Sequence, residues 1–212
     1  MFEKEKEEII KTAKKLMACG IIKLTTGNLS LRIKDKVIFT PSGMDYNEID
    51  INDLVVLDLD GNIQEGSRVP SKEKDGCLYI YRHLPDVNAI IHTHQVFATA
   101  VGLIADKLPA ILTTQASACG GEVMVAPYAP AGSIETGVYT VENLGDKKAV
   151  ILKHHGANVV GKDLNEAMHA AIYLEEAAQV YLAARAIAEP PALVAWQIEK
   201  AHEIYREYLV EK

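Results

Sequence analysis

The stretch Ala89-Ile90-Ile91-His92-Thr93-His94 joins a short apolar run to two histidines separated by one residue. The apolar run predicts a buried strand. Because side chains alternate faces along a strand, His92 and His94 point to the same side and supply two ligands for a metal ion. The alternative interpretation is that both histidines are ordinary polar residues at the end of a strand.

A second apolar run, Val150-Ile151-Leu152, leads into His154-His155-Gly156 and favours the metal interpretation. Two imidazoles from one strand and a third from another provide the three protein ligands of a catalytic zinc site, whose fourth position stays open. The residues alone leave open whether His154 or His155 is the third ligand.

The composition is that of a folded globular protein. Hydrophobic residues make up 49% of the 212 residues and charged residues 24%, which suits one domain over residues 1–212. The net charge of −7 argues against a nucleic-acid-binding surface, although a small anionic substrate needs only a local positive pocket. Three widely spaced cysteines without a CxxC pair fit a reducing compartment. Because the chain has no signal core and no apolar run of about 18 residues, we expect a soluble cytoplasmic protein.

Strands and helices alternate along the chain, and the early strands are joined by tight turns. Apolar spacing predicts strands over residues 29–33, 37–40, 54–59, 89–94, 123–126 and 149–153. It predicts helices over residues 3–19, 71–83, 95–104, 134–144, 163–188 and 195–209, with Ser71 and Asp163 as N-caps. This mixture indicates an α/β protein, a three-layer α/β/α domain with a mainly antiparallel central sheet.

Glu73 falls in the first turn of the helix that Ser71 is predicted to open, 19 residues before His92. The helix dipole favours a carboxylate there, which would account for Glu73 without any function. The functional interpretation is a carboxylate beside zinc, which acts as a ligand or as the general base that moves a proton.

Three short turns offer backbone N–H groups to an anion: Gly27-Asn28, Ser42-Gly43 and Ser71-Lys72. A helix N-terminus with a hydroxyl group suits a phosphate, and Lys72 adds a positive charge. Each pair is also an ordinary turn dipeptide, so none of them identifies a phosphate site by itself.

Six blocks of the sequence resemble the class II aldolase and epimerase family in their order and spacing. The resemblance runs nearly end to end and rests on residues 26–30, 40–43, 70–73, 82–94, 126–128 and 154–156. It implies a zinc site formed by His92, His94, His155 and Glu73. It selects His155 rather than His154 as the third histidine, and it makes Glu73 both a metal-proximal ligand and the acid/base.

The resemblance also implies a substrate site and an assembly. It places a phosphate pocket at Gly27, Asn28, Ser42, Gly43 and Ser71, with Lys72 at the next position. The implied assembly is a homotetramer with active sites near the subunit boundaries.

The reaction implied by the resemblance is reversible cleavage of a ketose 1-phosphate. L-fuculose 1-phosphate is the expected substrate, and it would give dihydroxyacetone phosphate and L-lactaldehyde. Zinc would chelate the ketone and hydroxyl oxygens of the three-carbon unit, and Glu73 would shuttle the proton at its nucleophilic carbon.

Two positions depart from the family pattern. Lys72 stands where the family commonly has a second Ser, and its flexible point charge changes the geometry of phosphate binding. Around position 113 the aldolases have a Tyr that approaches the aldehyde from a neighbouring subunit, whereas the run Leu112-Thr113-Thr114-Gln115 contains no Tyr and leaves a different aldehyde partner open. The family also has a C-terminal Tyr near the site, for which Tyr208 is the candidate catalytic residue and Tyr205 the alternative.

Other functions share parts of this pattern. Pentulose-5-phosphate 4-epimerases use the same retro-aldol step, but the resemblance predicts Asp at the position of Glu73 in that branch, which favours an aldolase. A methylthioribulose-1-phosphate dehydratase shares the zinc pattern. A non-catalytic binding scaffold would have no need of all four proposed metal-site residues together.

Overall fold

A computed structural model describes the backbone of residues 1–210 and the side chains of residues 1–205. This part of the chain contains seven helices and nine strands. The helices are α1 (Glu3–Ala18), α2 (Lys74–His83), α3 (Val96–Ile104), α4 (Thr113–Cys119), α5 (Glu135–Leu144), α6 (Leu164–Arg185) and α7 (Ala195–Val210). The strands are β1 (Asn28–Ile33), β2 (Lys36–Phe39), β3 (Val55–Asp58), β4 (Ile63–Glu65), β5 (Ala89–Thr93), β6 (Lys107–Leu108), β7 (Val123–Ala126), β8 (Ala149–Leu152) and β9 (Gly156–Gly161).

The described strands form one sheet in the order β4-β3-β2-β1-β5-β9-β8-β7-β6. Neighbouring strands run antiparallel except β7 and β8, which are parallel. The prediction of a mainly antiparallel central sheet is therefore confirmed. The histidine-bearing strand β5 lies at its centre, between β1 and β9.

Helices cover both faces of the sheet, which confirms the predicted three layers. On one face, α1, α3 and α6 pack against strand residues that include Ala89 and Ile91. On the other face, α2 and α5 pack against strand residues that include Ile90. Because β5 is buried on both faces, its residues before His92 form a continuous apolar run. Alternation then places His92, two residues after Ile90, on the face covered by α2 and α5.

The two helices on that face touch backbone to backbone. A Cβ atom added to Gly137 on α5 would lie 2.2 Å from the carbonyl oxygen of Gly76 on α2. A Cβ atom added to Gly76 would lie 2.4 Å from Oγ1 of Thr136. Only glycine permits so close an approach, so these two residues fix the position of α5 against α2.

The start of α2 differs from the prediction. Ser71 is not the N-cap, because the helix begins at Lys74 and Glu73 occupies the N-cap position. The Ser71 hydroxyl accepts a hydrogen bond from the Glu73 N–H at 3.2 Å, and the Ser71 carbonyl accepts one from the Lys74 N–H at 3.1 Å. These bonds close a turn ahead of the helix. Glu73 therefore lies at the entrance to α2 and not in its first turn.

The predicted cap of α6 is confirmed, since the Asp163 carboxylate accepts a hydrogen bond from the Glu166 N–H at 2.8 Å. The sequence does not predict β4, β6, α4 or β9, of which β9 bears directly on the site. Within the described residues, no helix combines the length and apolarity needed to cross a membrane.

Candidate metal centre

The end of β5 and the turn after β8 bring three histidines together. Nε2 of His92 and Nε2 of His94 are 3.1 Å apart. The ring centroid of His155 lies 4.7 Å from that of His92 and 5.0 Å from that of His94. One ligand nitrogen from each ring lies within 4.8 Å of the other two. Two nitrogens on one tetrahedral zinc ion would be about 3.3 Å apart, so the cluster fits a metal ion of that size.

The turn between β8 and β9 directs one of its two histidines to the cluster. His154 adopts the left-handed conformation with φ 60° and is exposed, and its ring centroid lies 6.3 Å from that of Tyr128. His155 instead faces His92. A Cβ atom added to Gly156 would lie 2.0 Å from the carbonyl oxygen of Thr93. Glycine at this position is therefore what allows β9 to run beside the histidine pair.

Burial keeps the inner histidines in the neutral form that binds metal. His92 is 1% exposed, and burial together with the nearby His155 and His94 rings lowers its pKa to about 3. Burial also lowers the pKa of His155, an effect that the Glu73 carboxylate partly opposes. His94 is exposed and forms the solvent side of the cluster. Since metal binding requires deprotonated ligands, the cluster is poised to accept an ion near neutral pH.

Glu73 adds a carboxylate to the three histidines. Its Oε1 lies 4.0 Å from Nε2 of His155. Burial raises the pKa of Glu73, while His155 and the backbone N–H of Gly132 act in the opposite direction. A carboxyl group whose pKa is moved towards neutrality in such a place is suited to take up and release a proton.

Behind His92, a chain of buried polar groups leads to α5. Nδ1 of His92 lies 2.9 Å from Oδ1 of Asn158, and Nδ2 of Asn158 donates to Oγ1 of Thr140 at 2.8 Å. The Thr140 hydroxyl donates to the carbonyl oxygen of Thr136 at 2.6 Å. The role of these residues is not predicted from the sequence, because the residue pattern does not predict β9. The signal that was present is Asn158 itself, a polar residue within the apolar run 157–160.

The segment that follows His94 is anchored to α6. The Thr93 hydroxyl donates to Oε1 of Gln95 at 2.9 Å, and Nε2 of Gln95 donates to the carbonyl oxygen of Ala171 at 2.6 Å. The Glu175 carboxylate accepts two backbone N–H groups in the first turn of α3, each at 2.9 Å. Helix α6 therefore anchors residues 95–98, the segment that follows the histidine pair in the chain.

Two of the turns predicted to bind phosphate, Ser42-Gly43 and Ser71-Lys72, lie side by side. They differ from the prediction in the partners of their backbone amides. The N–H of Ser42 donates to the carbonyl oxygen of Val69 at 2.9 Å, and the N–H of Ser71 donates to that of Thr40 at 3.2 Å. These two amides are used within the chain, so the prediction that they are offered to an anion is wrong. The hydroxyl groups of both serines can still donate a hydrogen bond to a ligand.

The third turn lies directly beside the histidine cluster. Asn28 pairs with His92 across β1 and β5, and a Cβ atom added to Gly27 would lie 2.5 Å from the His92 carbonyl oxygen. Gly43 and Lys72 are exposed in the other two turns. The six residues of the predicted phosphate pocket thus include two that touch the backbone of the histidine strand.

The tyrosine candidates belong to the last helix. Tyr208 lies outside the residues whose side chains are described. The hydroxyl of Tyr205 lies 2.7 Å from Nδ1 of His169. With Thr113, Tyr205 lines a groove of about 580 Å³ between α4 and α7. Among the described residues that line this groove there is neither a histidine of the cluster nor Glu73.

Comparisons with known proteins cover nearly the whole chain. The family model named Class II Aldolase and Adducin N-terminal domain matches residues 7–182. The 5-deoxy-D-ribulose 1-phosphate aldolase of Bacillus thuringiensis serovar kurstaki is 35% identical over 98% of each chain. The L-fuculose phosphate aldolase of Escherichia coli strain K12 is 34% identical, over 95% of this chain and 94% of the relative. A solved structure of an L-fuculose 1-phosphate aldolase superposes with a TM-score of 0.90 at 35% identity, over 96% of each chain.

Proposed function

The chain belongs to the class II aldolase family, and we propose that it is a zinc-dependent aldolase that cleaves a ketose 1-phosphate reversibly into dihydroxyacetone phosphate and an aldehyde. Similarity to aldolases along the whole chain makes it an enzyme of aldolase type. The observation that carries the proposal is the Glu73 carboxylate 4.0 Å from His155, within a cluster of three histidines.

In this proposal the metal is held by His92, His94 and His155, with Glu73 as the fourth group. Imidazole nitrogens and a carboxylate oxygen are donors that zinc accepts. A bound zinc ion would polarise the ketone and hydroxyl oxygens of the three-carbon unit, which stabilises the negative charge that develops there. The solvent-exposed His94 marks the side from which the substrate enters.

Glu73 has the central chemical role. In the cleavage direction the C4 hydroxyl loses its proton to solvent as the C3–C4 bond breaks, C4 departs as the aldehyde carbon, and C3 takes a proton from the Glu73 carboxyl group. In the direction of synthesis the Glu73 carboxylate removes that proton. Because burial raises the pKa of Glu73, the group can serve as an acid in one direction and as a base in the other.

The phosphate group is proposed to bind at Gly27, Asn28, Ser42, Gly43 and Ser71, with Lys72 contributing positive charge. Since the N–H groups of Ser42 and Ser71 are used within the chain, we assign the phosphate contacts of these residues to their hydroxyls. The Ser71 hydroxyl accepts from the Glu73 N–H, which orients its own hydrogen away from that bond. The nearness of Gly27 to His92 supports a phosphate bound within reach of the metal centre.

L-fuculose 1-phosphate is the leading substrate, and L-lactaldehyde the aldehyde that it would release. The 35% identity to a 5-deoxy-D-ribulose 1-phosphate aldolase over 98% of each chain favours that compound as the second candidate. Both substrates contain the same three-carbon phosphate unit and differ in the aldehyde. We further propose a cytoplasmic homotetramer in carbohydrate metabolism, with Tyr208 as an additional catalytic group.

A substrate panel tests the proposal. Zinc-loaded protein would be incubated with the 1-phosphates of fuculose, rhamnulose, 5-deoxyribulose and methylthioribulose and with ribulose 5-phosphate, and the products identified by NMR. An aldolase gives two fragments, an epimerase an inverted pentulose, and a dehydratase a diketone with released water. If no ketose 1-phosphate yields dihydroxyacetone phosphate, the proposal is wrong.

A further inference from the structure

We infer that Asn158, backed by Thr140 and Thr136, is a positioning residue that sets the tautomer of His92. In this arrangement the proton of the neutral imidazole stays on Nδ1, and Nε2 presents its lone pair to the other two histidines. The inference rests on the proposed function, because it concerns how the ring is prepared for a metal ion.

The hydrogen bonds can be assigned from the far end of the chain of polar groups. The carbonyl oxygen of Thr136 accepts hydrogen bonds and cannot donate one. The Thr140 hydroxyl has a single hydrogen, which goes to that carbonyl. Its oxygen must therefore accept from Asn158, and the group of Asn158 that faces Thr140 must be the NH₂ group.

The orientation of the Asn158 amide in turn fixes the position of the proton on His92. With its NH₂ group turned to Thr140, Asn158 presents its Oδ1 to the ring, and this oxygen can only accept. Nδ1 of His92, 2.9 Å away, must therefore carry the hydrogen. In a neutral imidazole the other nitrogen then has a free lone pair, and that nitrogen is the Nε2 that lies 3.1 Å from Nε2 of His94.

The fold buries this chain of polar groups and aligns its members with one another. Asn158 stands directly opposite His92 where β9 pairs with β5, so the two side chains share one face of the sheet. Thr136 and Thr140 lie one turn apart on α5, which covers that face. Thr136, Thr140, Asn158 and His92 are each at most 4% exposed. This burial disfavours the replacement of one of the partners by water, which would reverse the direction of the bonds.

The third histidine lacks such a partner. Within the part of the chain that the structure describes, Nδ1 of His155 is buried without a hydrogen bond. His92 is thus the ring of the cluster whose orientation is set in advance by an amide, and it is also the most deeply buried of the three.

The first measurement needs no substitution. In ¹⁵N NMR spectra of the metal-free wild-type protein, Nδ1 of His92 should show a protonated and Nε2 an unprotonated nitrogen. A wild-type protein with the His92 proton on Nε2 would overturn the inference.

Two variants then break the chain of hydrogen bonds at different points. Asn158→Leu removes the acceptor at similar volume, and Thr140→Val lets the Asn158 amide rotate and present its NH₂ group to His92. We expect zinc affinity, measured by chelator competition, to fall about 10- to 100-fold in Asn158→Leu, as is usual when the outer partner of a metal-binding histidine is lost. In Thr140→Val the proton of His92 should move towards Nε2.

Thr12→Val is the matched control, because Thr12 is a buried threonine on α1, on the opposite face of the sheet. It should leave both zinc affinity and the tautomer unchanged. Wild-type zinc affinity in folded Asn158→Leu, or an unchanged tautomer in Thr140→Val, would contradict the inference. Because these readouts do not use a substrate, a protein that binds zinc in this way but cleaves no ketose 1-phosphate would refute the proposed function and leave the inference standing.

Discussion

The histidine cluster and the predicted phosphate turns lie side by side but are built in different ways. His92 is 1% exposed and is paired with a neighbouring strand on each side, whereas Gly43 and Lys72 are exposed in turns. Strand register decides where His92 points, and backbone dihedral angles decide the shape of the turns. Changes in the first region should therefore act on the metal and the fold, and changes in the second on substrate affinity.

The strongest test of this contrast is His155→Ala, which removes a proposed metal ligand. We expect the loss of activity to exceed the ~100-fold effect that is typical for an outer partner of a metal-binding histidine, because the site keeps only two of its imidazoles. Metal content per subunit should fall in parallel, as measured by atomic absorption. His154→Ala is the matched control, since this exposed neighbour faces away from the cluster, and equal effects of the two changes would refute the ligand assignment.

The next effect should come from Glu73→Gln, which removes the proposed acid/base while its amide oxygen can still face the metal. The amide keeps the shape of the side chain but cannot take up the proton, so we expect a loss of activity of about 10²- to 10⁴-fold. Exchange of the carbon-bound proton of dihydroxyacetone phosphate with deuterium, followed by NMR, should stop as well. Unchanged proton exchange in Glu73→Gln would assign the acid/base role to another residue.

A pair of glycine substitutions compares the two regions in stability. In Gly156→Ala the new Cβ would lie 2.0 Å from the Thr93 carbonyl oxygen, and we expect a loss of about 3 kcal/mol in the free energy of unfolding. In Gly43→Ala the Cβ meets no atom within 4 Å, and the positive φ of 73° alone should cost about 1 kcal/mol. Urea denaturation measures both. A larger loss in Gly43→Ala would mean that the turn, not the strand, is the more tightly constrained region.

The smallest effect is expected at Lys72, which is exposed and acts through its charge. For Lys72→Ala we expect KM to rise about two- to fivefold with kcat unchanged, as suits an exposed ionic contact, and the effect to shrink with added salt. Lys74→Ala is the control, because Lys74 pairs with Asp75. A fall in kcat at constant KM would place Lys72 in the chemical step.

The sequence predicts the histidine side of the site better than the turn side. The pairing of His92 with His94 follows from strand alternation, and only the local hydrogen bonds of the turns reveal that the Ser42 and Ser71 amides are already used. The prediction of Ser71 as a helix cap is wrong because its hydroxyl closes a turn ahead of α2 instead. The role of Asn158 cannot be predicted from the sequence pattern because it depends on the pairing of β9 with β5. That pairing brings Asn158 to His92, 66 positions away in the chain.

The backbone contact between Gly76 and Gly137 has a consequence for local unfolding. One end of α2 carries Glu73, and α5 carries the carbonyl group that orients the hydrogen bonds behind His92. Since the two helices interlock through these glycines, they should open from the sheet as one cooperative unit. A single opening event would then remove the acid/base and release the His92 ring together, and the amides of both helices should exchange with solvent deuterium at a common rate.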